Sequence, residues 1–281
     1  MTERPSRSWR KTFVRLFLVF GGIYLAICLY CAVCQRRMIY FPPVYTAARV
    51  DELARSSNLQ RWRDARGNAI GMMRPSPRQP AGGRVLIVYG NGGCATACAH
   101  YADVIQKVAA FDVYILEYPG YGDRPGSPSE QSFFRAATEA LQLLAVQGPV
   151  YVVGESLGTG VASYLGGTCP EQVAGIALLG AYNRLTDVAQ AHMPLLPVSL
   201  LLRDRFPSQD YLGHFHGPVG ILIAGQDRVV PAKFGRRLYD TYAGPKRLWE
   251  FPGGNHGTVM VQPPEIWARV IQFLQAARPA S

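Results

Sequence analysis

Four apolar, β-branched or aromatic residues, Val150-Tyr151-Val152-Val153, run directly into Gly154-Glu155-Ser156-Leu157-Gly158, and a helix-like stretch follows over 157–165. A strand that turns into a helix within a few residues leaves few folds open. The flanking glycines suit the close strand–helix approach and the unusual backbone angle that such a corner needs. The serine at its apex then holds its hydroxyl clear of the sheet edge.

The rest of the chain alternates in the same way. Segments 59–63 and 69–73, joined through Arg66-Gly67-Asn68, read as a β-hairpin. Strands are predicted over 84–89, 111–116, 150–153, 173–179, 219–224 and 246–251. Helices are predicted over 99–109, 130–145, 231–242 and 264–277. This order implies an α/β fold, a mostly parallel central sheet with helices on both faces. Ligands of open α/β sheets bind beyond the carboxyl ends of the strands. Tyr89-Gly90-Asn91-Gly92-Gly93, Ser156, Asp227 and His256 all follow predicted strand ends, so four candidates converge on one rim.

A serine hydroxyl is a poor nucleophile until a base takes its proton. Of five histidines, only His256 sits in a glycine-rich loop after the last strand, Gly253-Gly254-Asn255-His256-Gly257. It is the candidate base, and a loop-stabilising role is its competitor. Asp227, 29 residues earlier, is the candidate acid that orients the imidazole. Its competitor is a helix-capping role before Pro231, and Asp187 and Asp123 are rival acids. Backbone N–H groups of Leu157 and of Asn91, or its neighbour Gly92, are the candidate oxyanion donors. A phosphate-binding loop is the alternative for Gly90–Gly93, but neither G-x-x-x-x-G-K-[ST] nor a full G-x-G-x-x-G is present. His214 and His216 flank Phe215 and read as a surface pair; two ligands without a third make a weak metal site. His100 and His192 read as structural.

Residues 16–34 are uncharged and largely apolar. As a helix these 19 residues span about 28 Å, close to a bilayer core of about 30 Å. Residues 1–15 carry Arg4, Arg7, Arg10, Lys11 and Arg15 against Glu3, while only Arg36 and Arg37 follow the run. The expectation is a single-pass protein: a basic cytoplasmic N-terminus over 1–15, a transmembrane anchor over 16–34, and a catalytic domain over 38–281 on the non-cytoplasmic side. A cleaved signal peptide is the competing reading. Residues 1–37 hold +6 of the net charge of +10. The basic balance therefore reflects topology more than nucleic-acid binding, and no nucleic-acid partner is expected. Cys28, Cys31 and Cys34 lie in the apolar run; Cys94 and Cys98 either oxidise outside the cytoplasm or stay as buried thiols. Residues 182–217 are where a lid would be inserted, and 193–202 is strongly apolar. It could wall an acyl site, face the bilayer or pack on the sheet.

Several motifs together resemble the α/β-hydrolase superfamily over about residues 36–277: Arg37-Met38-Ile39-Tyr40-Phe41-Pro42, the 89–93 loop, Glu117-Tyr118-Pro119-Gly120-Tyr121-Gly122, the 154–158 turn, Gln226-Asp227-Arg228-Val229-Val230-Pro231 and Gly254-Asn255-His256-Gly257. The chain looks most like the single-span branch related to serine aminopeptidase-like hydrolases and membrane-associated acyl-protein thioesterases. The resemblance implies Ser156 as nucleophile, His256 as base and Asp227 as acid, with no metal or organic cofactor. It departs at the oxyanion loop, which usually begins with histidine and here begins with Tyr89. The resulting expectation is a membrane-anchored serine hydrolase of carboxylic esters or thioesters, with a small acyl substrate or an acylated protein as partner. A serine exopeptidase of small peptides and a non-catalytic anchored binding module are the alternatives.

Overall fold

In the computed structural model, which describes residues 7–277, the chain opens with helix α1 (Arg7–Ile39). Residues 1–6 of the basic N-terminal segment, Arg4 among them, and the last four residues lie outside the described residues. At 1.5 Å per residue α1 is about 50 Å long. It outruns the apolar stretch because its hydrogen bonding continues through Gln35, Arg36 and Arg37, and Pro42 and Pro43 follow shortly after its end. Phe13, Phe17, Leu25 and Leu29 are all exposed, and the helix is long and apolar enough over Trp9–Ile39 to cross a membrane.

Helix α2 (Ala47–Ser56) comes next, its first turn capped by the Thr46 hydroxyl accepting from Arg49 N–H. Sequence reasoning missed it, because only Val50 and Ala54 are buried and so little apolar periodicity shows. The order then runs β1 (Gln60–Arg63), β2 (Ala69–Arg74), β3 (Gly83–Val88), α3 (Ala99–Val108), β4 (Phe111–Leu116), α4 (Glu130–Ala145), β5 (Val150–Glu155), α5 (Gly158–Thr168) and β6 (Val173–Leu179). Three short helices follow, α6 (Leu185–His192), α7 (Val198–Leu201) and α8 (Ser208–Leu212), then β7 (Val219–Ala224), α9 (Ala232–Thr241), β8 (Lys246–Phe251), α10 (His256–Met260) and α11 (Pro264–Ala276).

The strands form one sheet in the order β1-β2-β4-β3-β5-β6-β7-β8. β1 with β2 and β2 with β4 are antiparallel; every other pairing is parallel. β6 and β7 are buried along their whole length, as strands covered on both faces must be. Val85 and Val153 point to the face where Ile105 of α3 meets Trp267 of α11. Gly154, of opposite parity to Val153, faces Ala162 of α5 on the other side. There Phe134 of α4 stacks on Tyr164 at 3.9 Å between centroids. Cys94 and Cys98 are free and buried.

The 182–217 segment docks along α1. The Gln35 side chain donates to the Leu201 carbonyl at 3.0 Å and accepts from Arg203 N–H at 2.7 Å. Asp204 pairs with the Arg36 guanidinium at 3.2 Å and accepts from the Tyr40 hydroxyl at 3.0 Å. Higher on the helix, the Tyr24 hydroxyl donates to the Leu195 carbonyl at 2.9 Å.

Candidate active site

The turn after β5 places Ser156 at φ +49°, a left-handed conformation that costs a residue with a Cβ about 1–3 kcal/mol. Its backbone N–H is tied to the Leu179 carbonyl at 2.8 Å, which fixes the corner to β6. Helix α5 then starts against the end of β3. A Cβ at Gly158 would run into the Val88 and Tyr89 carbonyl oxygens, so glycine there is a steric requirement.

Three side chains from three strand ends meet. His256 Nε2 lies 3.0 Å from Ser156 Oγ, and His256 Nδ1 lies 2.6 Å from Asp227 Oδ2. The Asp227 side chain is almost fully buried, yet its charge is well partnered: Oδ1 accepts from Val229 N–H at 2.8 Å and Val230 N–H at 2.7 Å. His256 begins α10, whose Asn255 cap accepts from Thr258 N–H at 3.1 Å. Gly180, at φ +62°, leaves room for the imidazole over the end of β6; a Cβ there would sit 3.2 Å from His256 Cε1.

The rival acids are engaged elsewhere. Asp123 pairs with Arg61 at 2.7 Å, and Asp187 accepts from Asn183 at 2.5 Å. His100 Nδ1 faces the Ala97 carbonyl at 3.3 Å. His214 and His216 are exposed around the buried Phe215, in the loop after α8 rather than on a strand. His192, read as structural from sequence, bonds the Val229 carbonyl at 2.9 Å and also lines the cavity that holds Ser156. Nothing in its local sequence marks it, because that cavity is assembled from distant segments.

Asn91 and Leu157 line the same cavity. The expectation for Asn91 concerns its backbone N–H; what the structure engages is its side chain. Its Oδ1 accepts from Phe41 N–H at 2.9 Å and from the Tyr121 hydroxyl at 3.0 Å, and its Nδ2 donates to the Ile39 carbonyl. The 89–93 loop is thus latched to the chain leaving α1. The signal was available in the Met38–Pro42 motif, but its partner was not. Tyr89, which departs from the family's usual histidine, donates through its hydroxyl to the buried Glu117 carboxyl, which also accepts from Ala95 N–H at 3.2 Å.

Burial pushes the Glu117 carboxyl up from 4.5 to about 7, although the Tyr89 hydroxyl and the Ala95 N–H favour its ionised form. The folded protein therefore holds this proton more tightly than the unfolded chain. The group's stabilising contribution is complete below about pH 4.5 and is lost as pH rises through about 7. The change amounts to about 3 kcal/mol. Glu117→Gln should flatten this part of the stability–pH profile, measured as urea unfolding midpoints from pH 5 to 8. A wild-type profile that rises across that window, with no difference in the variant, would refute the assignment.

The cavity beside Ser156 measures about 490 Å³. Its walls are mostly apolar: Val188, Leu196, Leu201 and Val229, with Met38 and Cys31 from α1. Among the described residues lining it, none is Asp or Glu.

The α/β hydrolase fold family matches residues 83–208. An uncharacterized protein of Mycobacterium tuberculosis is 34% identical over 230 residues, covering 79% of this chain and 80% of the relative. The lysophosphatidylserine lipase ABHD12 of Danio rerio is 30% identical over 192 residues, which are 58% of this chain and 48% of the lipase. Among solved structures, the Pyrococcus furiosus esterase Pf2001 matches with a TM-score of 0.62 at 16% identity, covering 85% of this chain and 99% of the esterase, a likeness of fold. With the sheet order and these relatives in hand, the chain belongs to the α/β-hydrolase superfamily.

Proposed function

We propose that this protein is a membrane-anchored serine hydrolase that cleaves carboxylic esters or thioesters of acyl chains. The observation that carries the reading is the continuous Ser156–His256–Asp227 hydrogen-bonded line, whose serine lines an apolar cavity. Ser156 Oγ attacks the acyl carbonyl while His256 Nε2 takes its proton, and Asp227 holds the Nδ1–H and steadies the imidazolium. Leu157 and Asn91 N–H groups receive the oxyanion. The imidazolium returns the proton to the leaving alcohol or thiol. A water deprotonated by His256 then releases the acid from the acyl-enzyme.

The apolar walls favour an acyl chain over a peptide. An exopeptidase acting at the amino end needs a counter-charge for the substrate's terminal ammonium, and no carboxylate lines the cavity among the described residues. The similarity to a lysophosphatidylserine lipase supports the same reading. Residues 38–281 form the catalytic domain in this reading, 182–217 its lid, and the basic N-terminal segment faces the cytoplasm.

The test begins with a fluorophosphonate probe, which should label the detergent-solubilised wild type. A series of p-nitrophenyl esters should then gain about fourfold in kcat/KM per added methylene until the cavity is full. Absence of labelling favours a binding module, and a flat series with turnover of aminoacyl arylamides favours the exopeptidase.

A further inference from the structure

We propose that the loop tip around Leu195 is embedded in the hydrocarbon of the adjoining bilayer leaflet, beside α1, so that acyl substrates pass sideways from the leaflet into the catalytic cavity. This rests on the ester-hydrolase reading of that cavity.

Depth is the first argument. Tyr24, which bonds the Leu195 carbonyl, lies ten residues before Cys34, the last residue of the apolar run. Ten residues of helix rise about 15 Å, half of a bilayer core. If α1 spans, the loop that touches Tyr24 lies among acyl chains.

The loop is also built for that medium. Leu195 is 84% exposed and Leu200 80% exposed, both outside the cavity lining, so their apolar surface faces outward. Non-helical backbone survives at membrane depth only when its polar groups find partners within the protein. Here four consecutive carbonyls do. The Gln190 amide donates to Met193 at 3.2 Å, Pro194 at 3.3 Å and Leu196 at 3.0 Å, and Tyr24 donates to Leu195. Pro194 and Pro197 have no N–H to satisfy, and Val198 N–H returns a bond to Gln190 Oε1 at 3.2 Å. One glutamine side chain thus closes the turn. Water would have done the same for an ordinary surface loop.

The cavity continues the surface. Met193 and Leu196 of the loop and Cys31 and Met38 of α1 are among its walls, and Ser156 lines it too. The anchor helix is therefore a wall of the acyl site as well as a tether.

Two measurements on the full chain in phosphatidylcholine nanodiscs test this. Leu195 replaced by the photocrosslinker p-benzoyl-phenylalanine should give a phospholipid adduct by mass spectrometry. Val146, 85% exposed and at the end of α4, should give none after the same replacement. An adduct to protein alone, or no adduct at 195, overturns the proposal. Leu195→Asp with Leu200→Asp should slow hydrolysis of a monoacylglycerol held in vesicles by about tenfold or more. Turnover of p-nitrophenyl acetate and fluorophosphonate labelling should stay at the wild-type level. Equal rates on the vesicle substrate overturn lateral entry. Loss of labelling in the wild type would instead defeat the hydrolase reading, because the crosslink reports embedding whether or not the serine reacts.

Discussion

Ser156→Ala is expected to lower kcat for ester hydrolysis by about 10⁵–10⁶, the loss seen when a triad nucleophile is removed, and to abolish fluorophosphonate labelling. The fold should not notice. The hydroxyl's partner is His256 Nε2, while the bond that fixes the turn is made by the Ser156 backbone to Leu179, which alanine keeps. Alanine also carries the same Cβ into the φ +49° conformation, so no strain is added or relieved. Thermal unfolding of the variant within a few degrees of wild type would show that the loss is chemical. Residual activity above about 1% of wild type would mean that another group does the attacking.

Asp227→Asn should cost about 10⁴ in kcat, and the geometry fixes the reason. Oδ1 already accepts from the N–H groups of Val229 and Val230, so the asparagine carbonyl must stay there; an NH₂ in that place would face two donors. The amide NH₂ is then turned to His256 Nδ1, where the carboxylate oxygen sits 2.6 Å away. Nδ1 becomes an acceptor, the ring proton moves to Nε2, and Nε2 can no longer take the serine proton. The effect should fall on kcat more than on KM, since the cavity walls are untouched. A loss of less than about tenfold would show that Asp227 is only a structural cap.

The candidate rim was legible because its carriers are local. A serine between two glycines after an apolar strand, an aspartate after another and a histidine in a glycine-rich loop each announce a strand end. The parallel strands were equally plain, since burial on both faces turns β6 and β7 into unbroken apolar runs. What was not legible is where distant segments meet. The roles of Gln35, Gln190 and Tyr24 depend on partners many residues away or on the shape of a turn. The Asn91 side chain is a similar case. Its position flagged the backbone, but its amide's partners, Ile39 and Phe41, lie about fifty residues upstream. Tyr89 looked like a loss of the loop's usual support, and only the buried Glu117 beneath it reveals what replaces that support.

The clasp between Asn91 and the chain leaving α1 bears on how this protein can be handled. Trimming the molecule near the end of α1, the ordinary route to a domain freed of a long apolar helix, would make Ile39 and Phe41 part of a fraying terminus. The 89–93 loop would lose its brace, and the cavity would lose its Cys31 side. On the proposed hydrolase reading, kinetics taken on such a truncated domain would come from a looser, partly unroofed site and would understate both rate and preference for long chains.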